Sequence, residues 1–326
     1  MSTIEAVGRK SMMLFSGRAF PELADEIAAQ IGVTVTPTTA RTFANGEIFI
    51  RPDESVRGSD AFVIQSYTSP INEWLVESLI LVDALKRASA KRITVVAPFY
   101  PYARQDKKHR GREPISARLV ANMFRTAGAN RIMAIDLHTA QIQGFFDGPV
   151  DHLYALPLLS KYIQGKYGDD DITVVSPDTG RVRMAEQWAD RLGGTPLAFV
   201  HKTRDPLVPN QVVANRVVGD VQGRTCILVD DMIDTGRTIV KASDVLYDTG
   251  AADVIIVATH GVLSPPATEL LAASKVSEVV ITNTLPVRAQ QDFDKLTILS
   301  IAPMIATAIR AVFDDGSVTS MFDGSG

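Results

Sequence analysis

Several features that would point to particular functions are scarce in this sequence of 326 residues. It contains a single cysteine, Cys226, so no internal disulfide can form, and we expect a reducing, cytoplasmic compartment. The formal net charge of −4 argues against nonspecific binding to nucleic acid or to an anionic membrane. No run approaches the ~20 apolar residues of a membrane span, and we expect no signal peptide, because the first ten residues lack an apolar core.

Chain length and composition predict two globular domains. At ~150 residues per domain, 326 residues are enough for two separate hydrophobic cores. The sequence is 46% hydrophobic and 21% charged, as in an ordinary globular protein, and it has no low-complexity segment before its short Gly/Ser tail. A Gly-Pro turn at 148–149 lies near the midpoint, so we place one domain at residues 1–152 and the other at residues 153–326.

Apolar, β-branched runs alternate with helical patterns, which is typical of parallel sheets covered by helices. The predicted strands are Ala61–Ser66, Ile93–Pro98, Ile132–Leu137, Ile172–Ser176, Thr225–Asp230, Val254–Thr259 and Glu278–Asn283. The predicted helices are Asn72–Arg87, Arg118–Ala127, Met184–Leu192 and Thr238–Tyr247. The segment ITVVAP at 93–98 matches ITVVSP at 172–177, which indicates a duplicated unit, although βα units with shared propensities also look alike by chance. We therefore predict an α/β fold of two similar doubly wound parallel-sheet domains.

The strand predicted at Thr225–Asp230 ends in two carboxylates, and a loop rich in Asp, Thr and Gly then opens a helix. In an open parallel sheet, ligands bind at the carboxyl ends of the strands. The N–H groups and threonine hydroxyls at a helix start suit a phosphate, and the carboxylates can accept hydrogen bonds from vicinal hydroxyls. The alternative is a simple helix cap, but two adjacent acids there are costly without a ligand or cation. The pattern predicts a sugar-phosphate site formed by Asp230, Asp231, Asp234, Thr235, Gly236, Arg237 and Thr238.

Two motifs resemble known families. The loop 234–238 resembles the ribose-5-phosphate loop of type I phosphoribosyltransferases, and the run DLHTAQIQGFF at 136–146 resembles the signature of ribose-phosphate pyrophosphokinases, also called phosphoribosyl pyrophosphate synthetases. The second resemblance covers nearly the whole chain from Phe43 onward, with several motifs in order. It implies a phosphoribosyltransferase-type fold and synthesis of 5-phosphoribosyl 1-pyrophosphate and AMP from ATP and ribose 5-phosphate. A Walker A motif is absent from the sequence, so ATP must bind in another way.

The resemblance implies an ATP site in the N-terminal domain. The run FANGE at 43–47 places an aromatic ring beside polar groups at a glycine turn, and its composition alone fits a hairpin turn equally well. In the family it contacts adenine, with stacking by the aromatic ring. The run YARQDK at 102–107 contacts ATP in the family, and the alternative is a charged surface loop. The predicted ATP-binding residues are Phe43, Asn45, Gly46, Glu47, Arg104, Gln105 and Asp106.

The resemblance also implies Mg²⁺ as the cofactor, held by His138 and Asp178. Magnesium usually takes carboxylate, water and phosphate oxygens, so a histidine ligand is unusual on chemical grounds. From chemistry alone Asp136 and Asp178 would be chosen, and a lone histidine beside a strand is more often a core residue. The assignment of His138 therefore depends on the family.

The run HKTRDP at 201–206 predicts an exposed, mobile loop that follows a short strand. By resemblance it is the catalytic loop, with Lys202 and Arg204 as the catalytic pair and Arg204 also contacting ribose 5-phosphate. Phosphoryl-type transfer depends on positioning and on neutralising negative charge. Two cations on a loop that closes over the transferred group supply both.

Two loops depart from the family pattern. The sugar-phosphate loop usually reads Thr-Ala-Gly-Thr, and this chain has TGRT at 235–238. The magnesium loop commonly has two glycines, and this chain has Gly180 followed by Arg181. We expect activity to persist with altered phosphate contacts or altered loop flexibility.

Two alternative functions share part of these motifs. A phosphoribosyltransferase would use the 234–238 loop but would not need a second full domain or the ATP segment. A catalytically silent relative that regulates a true synthetase should lack part of the catalytic set. The resemblance further implies a homo-oligomer, a hexamer in many relatives, with phosphate and ADP as regulators. Candidate anion contacts are Arg51, Ser55, Arg57 and the basic stretch 107–112, whose ordinary interpretation is solvated surface charge.

Overall fold

The computed structural model describes residues 10–204 and 212–322, and of these the side chains of residues 202–204, 212–215 and 322 are not described. Contacts between Cα atoms divide the chain into two compact units. The first runs to Leu153 and includes the segment that starts at Ala302, and the second is Tyr154–Ile301. None of the helices in the described ranges is long and apolar enough to cross a bilayer.

The first unit contains a parallel sheet and a separate hairpin. In its described part the strands β1 to β7 are Met12–Ser16, Thr38–Thr42, Ile48–Pro52, Asp60–Ile64, Arg92–Ala97, Arg131–Ile135 and Val150–Leu153. The helices α1 to α3 are Pro21–Ile31, Ile71–Arg87 and Ser116–Ala127, with 3-10 helices at Ala140–Phe145 and Thr319–Phe322. The parallel sheet has the order β1-β4-β5-β6-β7, and β2 pairs with β3 in an antiparallel hairpin. Each successive strand of this sheet is therefore added on the same side of the one before it.

The described residues of the second unit form one seven-stranded sheet. In its described part the helices α4 to α7 are Leu156–Tyr167, Val182–Arg191, Arg237–Asp248 and Ala267–Ala273. The strands β8 to β14 are Ile172–Ser176, Leu197–Arg204, Val212–Val218, Thr225–Ile233, Asp253–Gly261, Glu278–Thr282 and Leu296–Leu299. The order is β10-β9-β8-β11-β12-β13-β14, parallel except for the β9–β10 pair. The direction of strand addition therefore reverses between β8 and β11.

The last helix, α8 at Ala302–Phe313, packs against α1 of the first unit. Ile305 and Ile309 are buried on α8, and Arg310 Nη2 donates a hydrogen bond to the Ile31 carbonyl at 2.5 Å. This grouping differs from the predicted second domain of residues 153–326, because the segment from Ala302 belongs to the first unit. The apolar face of α8 is evident in the sequence, but the sequence does not show that α1 covers it.

The predicted fold class is confirmed, because the chain forms two α/β units built on parallel sheets. Each predicted strand and helix overlaps an observed one. The prediction for the loop at 201–206 was wrong in part, since residues 201–204 continue β9 and pair with β10. The polar residues of this stretch were interpreted as a loop, but backbone pairing with β10 extends β9 beyond residues 197–199, which are the ones that pair with β8. Residues 205 and 206 lie outside the described part of the chain.

Candidate active site

The reversal of strand order in the second unit brings polar residues to one edge of the sheet. β8 and β11 are parallel neighbours, so their carboxyl ends meet at the same edge. The chain reaches Asp178 and Arg181 just after β8, and β11 carries Asp230 and Asp231 near its end. In open α/β sheets, the crevice at such a reversal is where ligands bind. The acidic pair therefore occupies the position that the fold favours for a ligand.

The two carboxylates of this edge form ion pairs with Arg181. Arg181 Nη2 lies 2.9 Å from Asp231 Oδ1, and Arg181 Nε lies 3.4 Å from Asp230 Oδ1. The Asp231 backbone N–H also donates to Asp230 Oδ1 at 2.8 Å. Asp231 is 2% exposed. Burial raises the pKa of Asp230 well above its ordinary value, the negative charge of Asp231 raises it further, and the charge of Arg181 opposes both.

The loop predicted to bind phosphate is a short connection from β11 to α6. β11 continues to Ile233, beyond its predicted end at Asp230, and α6 begins at Arg237. Gly236 precedes the helix with φ of 72°, a conformation that glycine adopts without strain. A Cβ atom at this position would also lie 3.3 Å from the Cα atom of Ala267. The turn therefore favours glycine for two independent reasons.

The start of α6 has the properties of an anion site. Its first turn contains no acidic residue, and Arg237 and Thr238 are exposed there. Asp234 and Thr235 are half-buried in the preceding turn. The first N–H groups of a helix have no acceptor within it, and the helix dipole adds partial positive charge. Both effects favour binding of a phosphate group beside the acidic pair.

Asp178 caps the 3-10 turn Thr179–Arg181, which connects β8 to α5. Asp178 Oδ1 accepts a hydrogen bond from the Gly180 N–H at 2.8 Å. The Ser176 hydroxyl donates to the Asp178 carbonyl oxygen at 2.6 Å. These bonds hold the half-buried carboxylate at the edge of the sheet and fix the turn that carries Arg181.

In the first unit, the predicted adenine-contacting run is the turn of the β2–β3 hairpin. The Phe43 N–H donates to the Glu47 carbonyl at 2.7 Å, and the Gly46 N–H donates to the Phe43 carbonyl at 2.8 Å. Asn45 Oδ1 accepts a hydrogen bond from the Glu47 N–H at 3.2 Å. The run is therefore a hairpin turn. Its side chains are exposed, and their contacts with ATP stay a prediction.

The ring of Phe43 is supported by neighbours on the hairpin. The Arg41 guanidinium lies 5.0 Å from the centroid of Phe43 and 4.8 Å from that of Phe49. The two rings meet edge to face with their centroids 6.4 Å apart. Arg18, in the loop after β1, donates to Thr42 Oγ1 from both terminal nitrogens, at 3.3 and 3.2 Å. These contacts restrict the aromatic ring and connect the hairpin to the rest of the unit.

An open groove of about 600 Å³ lies beside the hairpin turn. It is lined by Thr42, Phe43, Gly46, Glu47, Ile48, Asn72, Glu73, Val76 and Ile80. Its volume is within the range of roughly 300–1,000 Å³ that is typical of small-molecule sites. Three of the four hairpin residues predicted to bind ATP line this groove, and Asn45 is not among its lining residues.

Asp106 connects the second ATP motif to the signature run at 136–146. Its buried carboxylate accepts hydrogen bonds from Thr139 Oγ1 at 2.7 Å and from Gln141 Nε2 at 2.6 Å. His138 is half-buried in the same turn, after β6, and Asp136 adopts a φ of 37° there. Asp106 therefore helps to fix the turn that carries His138.

The remaining predicted residues are exposed, or their side chains lie outside the part of the chain that the structure describes. Arg104 and Gln105 are exposed in the loop after β5, where Gln105 Oε1 accepts a hydrogen bond from Ser116 Oγ at 2.6 Å. The backbones of Lys202 and Arg204 belong to β9, and their side chains lie outside the described part of the chain. Within the part of the chain that the structure describes, no group of three or more His, Cys, Asp or Glu residues is arranged to hold a metal ion.

Sequence reasoning missed the contacts of two arginines. It noted Arg181 only as a departure from the family pattern, and it did not consider Arg41. The expectation that two adjacent acids need a ligand or a cation was a usable signal for Arg181. It identified no partner, because the proximity of the turn after β8 to the end of β11 follows only from the strand order.

Comparisons with known proteins cover almost the entire chain. Residues 12–128 match the model of the N-terminal domain of ribose phosphate pyrophosphokinase, and residues 198–323 match that of the phosphoribosyl synthetase-associated domain. The chain is 66% identical to the ribose-phosphate pyrophosphokinase of Mycobacterium tuberculosis over 97% of both chains. It is 65% identical to that of Streptomyces coelicolor over 99% of both. The crystal structure of phosphoribosylpyrophosphate synthetase from Mycobacterium smegmatis is 64% identical and superposes with a TM-score of 0.90, covering 94% of this chain and 100% of that one.

Proposed function

The chain belongs to the ribose-phosphate pyrophosphokinase family, and from this membership we propose which of its residues carry each part of the reaction. The enzyme transfers the β,γ-pyrophosphoryl group of ATP to the C1 hydroxyl of ribose 5-phosphate. A bond forms between the C1 oxygen and the β-phosphorus, and the bond between the β-phosphorus and the oxygen it shares with the α-phosphate breaks. The C1 hydroxyl loses its proton, and the products are 5-phosphoribosyl 1-pyrophosphate and AMP.

Ribose 5-phosphate binds at the reversal point of the second sheet. Asp230 and Asp231 accept hydrogen bonds from the vicinal hydroxyls of the sugar. The 5-phosphate binds at the start of α6, with the backbone from Asp234 to Thr238 and the hydroxyls of its two threonines as donors. The observation that carries this assignment is the acidic pair, with one member almost completely buried, on the strand that a short turn connects to a helix start free of acidic residues.

ATP binds through the first unit. Phe43 stacks on the adenine, and Asn45, Gly46 and Glu47 contact it from the hairpin turn. The groove beside the turn and the exposed, supported ring of Phe43 favour a flat apolar ligand face. In the loop after β5, the polar contacts with ATP come from Arg104, Gln105 and Asp106. Asp106 acts partly by holding the signature turn, since its carboxylate is already bonded to two side chains of that turn.

Mg²⁺ is the proposed cofactor, with His138 and Asp178 as its protein ligands. Magnesium in phosphate chemistry is usually held by one or two carboxylates while substrate phosphates and water complete the coordination. The half-buried Asp178 carboxylate at the sheet edge fits this donor set. When bound, the ion neutralises phosphate charge and orients the triphosphate.

Lys202 and Arg204 stabilise the negative charge on the transferred group, and Arg204 also contacts ribose 5-phosphate. They are two residues apart in the sequence, and two cations that close together can contact neighbouring oxygens of one pyrophosphoryl group. Because such transfer depends mainly on positioning and charge neutralisation, loss of either should reduce kcat.

The functional test measures AMP and 5-phosphoribosyl 1-pyrophosphate from MgATP and ribose 5-phosphate, with and without inorganic phosphate. Lys202→Ala should reduce kcat by about 10²-fold or more, the size seen when one transition-state donor is removed. Lys161→Ala, which removes an exposed lysine of α4, is the matched control and should leave kcat unchanged. Product formation by Lys202→Ala at the native rate would contradict the catalytic role.

Assembly, regulation and location are the remaining parts of the proposal. We expect a homo-oligomer, a hexamer by analogy with relatives, that phosphate activates and ADP inhibits. Sedimentation velocity with and without phosphate measures the assembly directly. The free, buried Cys226 agrees with a cytoplasmic location.

A further inference from the structure

Arg181 contacts both acids of the proposed sugar site. The arginine ends the 3-10 turn after β8, and its Nε and Nη2 atoms form ion pairs with Asp230 and Asp231. Its side chain is only 20% exposed, so the ion pairs are shielded from much of the solvent screening that weakens surface pairs. We propose that Arg181 is a positioning residue for ribose 5-phosphate, which holds the two carboxylates in the arrangement that accepts the sugar hydroxyls. This inference rests on the proposed sugar site.

The two carboxylates need such a group because they repel each other. They are adjacent in sequence near the end of a buried strand, and Asp231 has almost no solvent to screen its charge. A guanidinium presents N–H donors in a rigid plane, so it can bind two neighbouring carboxylates in one fixed arrangement. A lysine ammonium carries the same charge as a point and lacks that geometry. Arginine therefore fixes the position of the two acids relative to each other as well as their total charge.

An ion pair with Arg181 does not prevent a carboxylate from accepting further hydrogen bonds. Both ion pairs and the Asp231 N–H bond use Oδ1 atoms. An ionised carboxylate offers about four acceptor positions, so a carboxylate paired with a guanidinium through Oδ1 can still accept hydrogen bonds from hydroxyls. The sugar hydroxyls can therefore bind while Arg181 stays in place. For this reason we assign it a supporting role and not that of a plug that the sugar must displace.

The backbone at Arg181 permits its replacement. Its φ of −109° and ψ of 6° lie outside the left-handed region, and α5 begins only at the next residue. Arg181→Ala should therefore fold, and it removes the guanidinium without straining the turn. Arg183→Ala is the matched control, because Arg183 is an exposed arginine in the first turn of α5. Arg181→Lys retains the charge but not the planar donor pair.

The experiment compares KM for ribose 5-phosphate, KM for ATP and kcat in these variants, together with calorimetric titration of ribose 5-phosphate in the absence of ATP. Arg181→Ala should raise KM and Kd for ribose 5-phosphate by about tenfold, equivalent to about 1.4 kcal/mol. KM for ATP should change less than about twofold, because the acids that Arg181 holds belong to the sugar site. Arg181→Lys should lie between the native enzyme and Arg181→Ala, and Arg183→Ala should match the native enzyme.

An unchanged or lower KM for ribose 5-phosphate in Arg181→Ala would overturn the positioning role. Asp231→Asn separates this failure from failure of the sugar site itself. If Asp231→Asn raises KM for ribose 5-phosphate and Arg181→Ala does not, the site stands and the inference falls. If neither raises it, the sugar site is elsewhere. Should Arg181→Ala fail to fold, Arg181→Gln replaces it under the same criterion.

Discussion

The acidic pair of the second unit and the aromatic hairpin of the first are built in opposite ways. The acids lie near the carboxyl end of β11, in the middle of the seven-stranded sheet, where both form ion pairs with Arg181. Phe43 is 44% exposed on a two-stranded hairpin outside the main sheet, where one guanidinium and one neighbouring ring support it. A sugar is recognised by fixed acceptors in a shielded place, whereas a flat base needs an open aromatic face. The proposed assignment of ribose 5-phosphate to the acids and of adenine to the hairpin agrees with this difference.

The two regions also differ in how strongly the surrounding structure stabilises them. A two-stranded hairpin is marginally stable by itself and needs packing from elsewhere. Here α2 packs against β3, and Arg18 bonds to Thr42 at the hairpin turn. The acidic pair instead belongs to β11, which has a parallel neighbour on each side. We therefore expect substitutions at the acidic pair to have the larger effects.

The largest effect should follow from Asp231→Asn. The substitution keeps the shape of the side chain but removes a buried charge that pairs with Arg181, and hydrogen bonds to charged groups contribute about 1.5–3 kcal/mol. Because the variant would lose both this pair and the proposed sugar contact, kcat/KM for ribose 5-phosphate should fall about 10²-fold. Steady-state kinetics measure this, with Asp244→Asn, an exposed acid on α6, as the control. Equal losses in the two variants would remove the distinction between buried and exposed acids.

Phe43→Ala should produce the next largest effect, and it should change the kinetics with ATP and not those with ribose 5-phosphate. Stacking of a base on an aromatic side chain contributes about 1–3 kcal/mol, so KM for ATP should rise about tenfold with KM for ribose 5-phosphate unchanged. Phe43→Tyr keeps the stacking face and should remain close to the native enzyme. Because the ring is exposed, the melting temperature should change little. An unaltered KM for ATP in Phe43→Ala would exclude adenine stacking at this residue.

Arg41→Ala should have a smaller effect of the same kind. It removes the cation above both rings, and an exposed cation–π contact contributes about 0.5–1 kcal/mol, so KM for ATP should rise about threefold. Arg41→Lys keeps a cation and should recover part of the loss. If Arg41→Ala raised KM for ATP as much as Phe43→Ala, the arginine would contact ATP directly and would not act through the ring.

The smallest effects should appear in the pH dependence of the free energy of unfolding, with opposite signs in the two regions. Hydrogen bonds from Thr39 and Arg51 lower the pKa of Asp53 on the hairpin side, whereas burial raises that of Asp230. Asp53 therefore adds stability above its unfolded pKa and loses it as the pH falls through its folded pKa. Asp230 opposes folding once the pH rises above its unfolded pKa, because its charged form is disfavoured in the folded state.

Melting temperatures of Asp53→Asn and Asp230→Asn between pH 3 and 7 test these signs. At pH 7, Asp53→Asn should be slightly less stable than the native chain. Asp230→Asn should be at least as stable as the native chain there, although it should lose activity. Both differences should shrink as the pH falls toward 3. Destabilisation of Asp230→Asn at pH 7 would show that Arg181 outweighs burial at this site.

Features that depend on the local sequence could be predicted, whereas contacts between residues far apart in the sequence could not. The strands Ile172–Ser176 and Thr225–Ile233 are buried and β-branched, so their composition alone identifies them. The hairpin strand Thr38–Thr42 is mostly exposed and polar and gives no such signal. Asp230 and Asp231 were identifiable because two acids interrupt an apolar run. Their contact with Arg181 was not, since some fifty residues separate them and only the strand order brings them together.

The return of α8 to the first unit has a consequence for how the chain is made. A ribosome synthesises the second unit before it reaches Ala302, so the nascent first unit lacks α8, and α1 lacks the helix that packs against it. The first unit is thus begun first and completed last. A chain cut short before Ala302 carries every residue named for the reaction and lacks one of the helices that pack around the first sheet. Truncation before Ala302 should therefore lower the solubility of the chain, because it exposes apolar surface that α8 covers in the complete first unit.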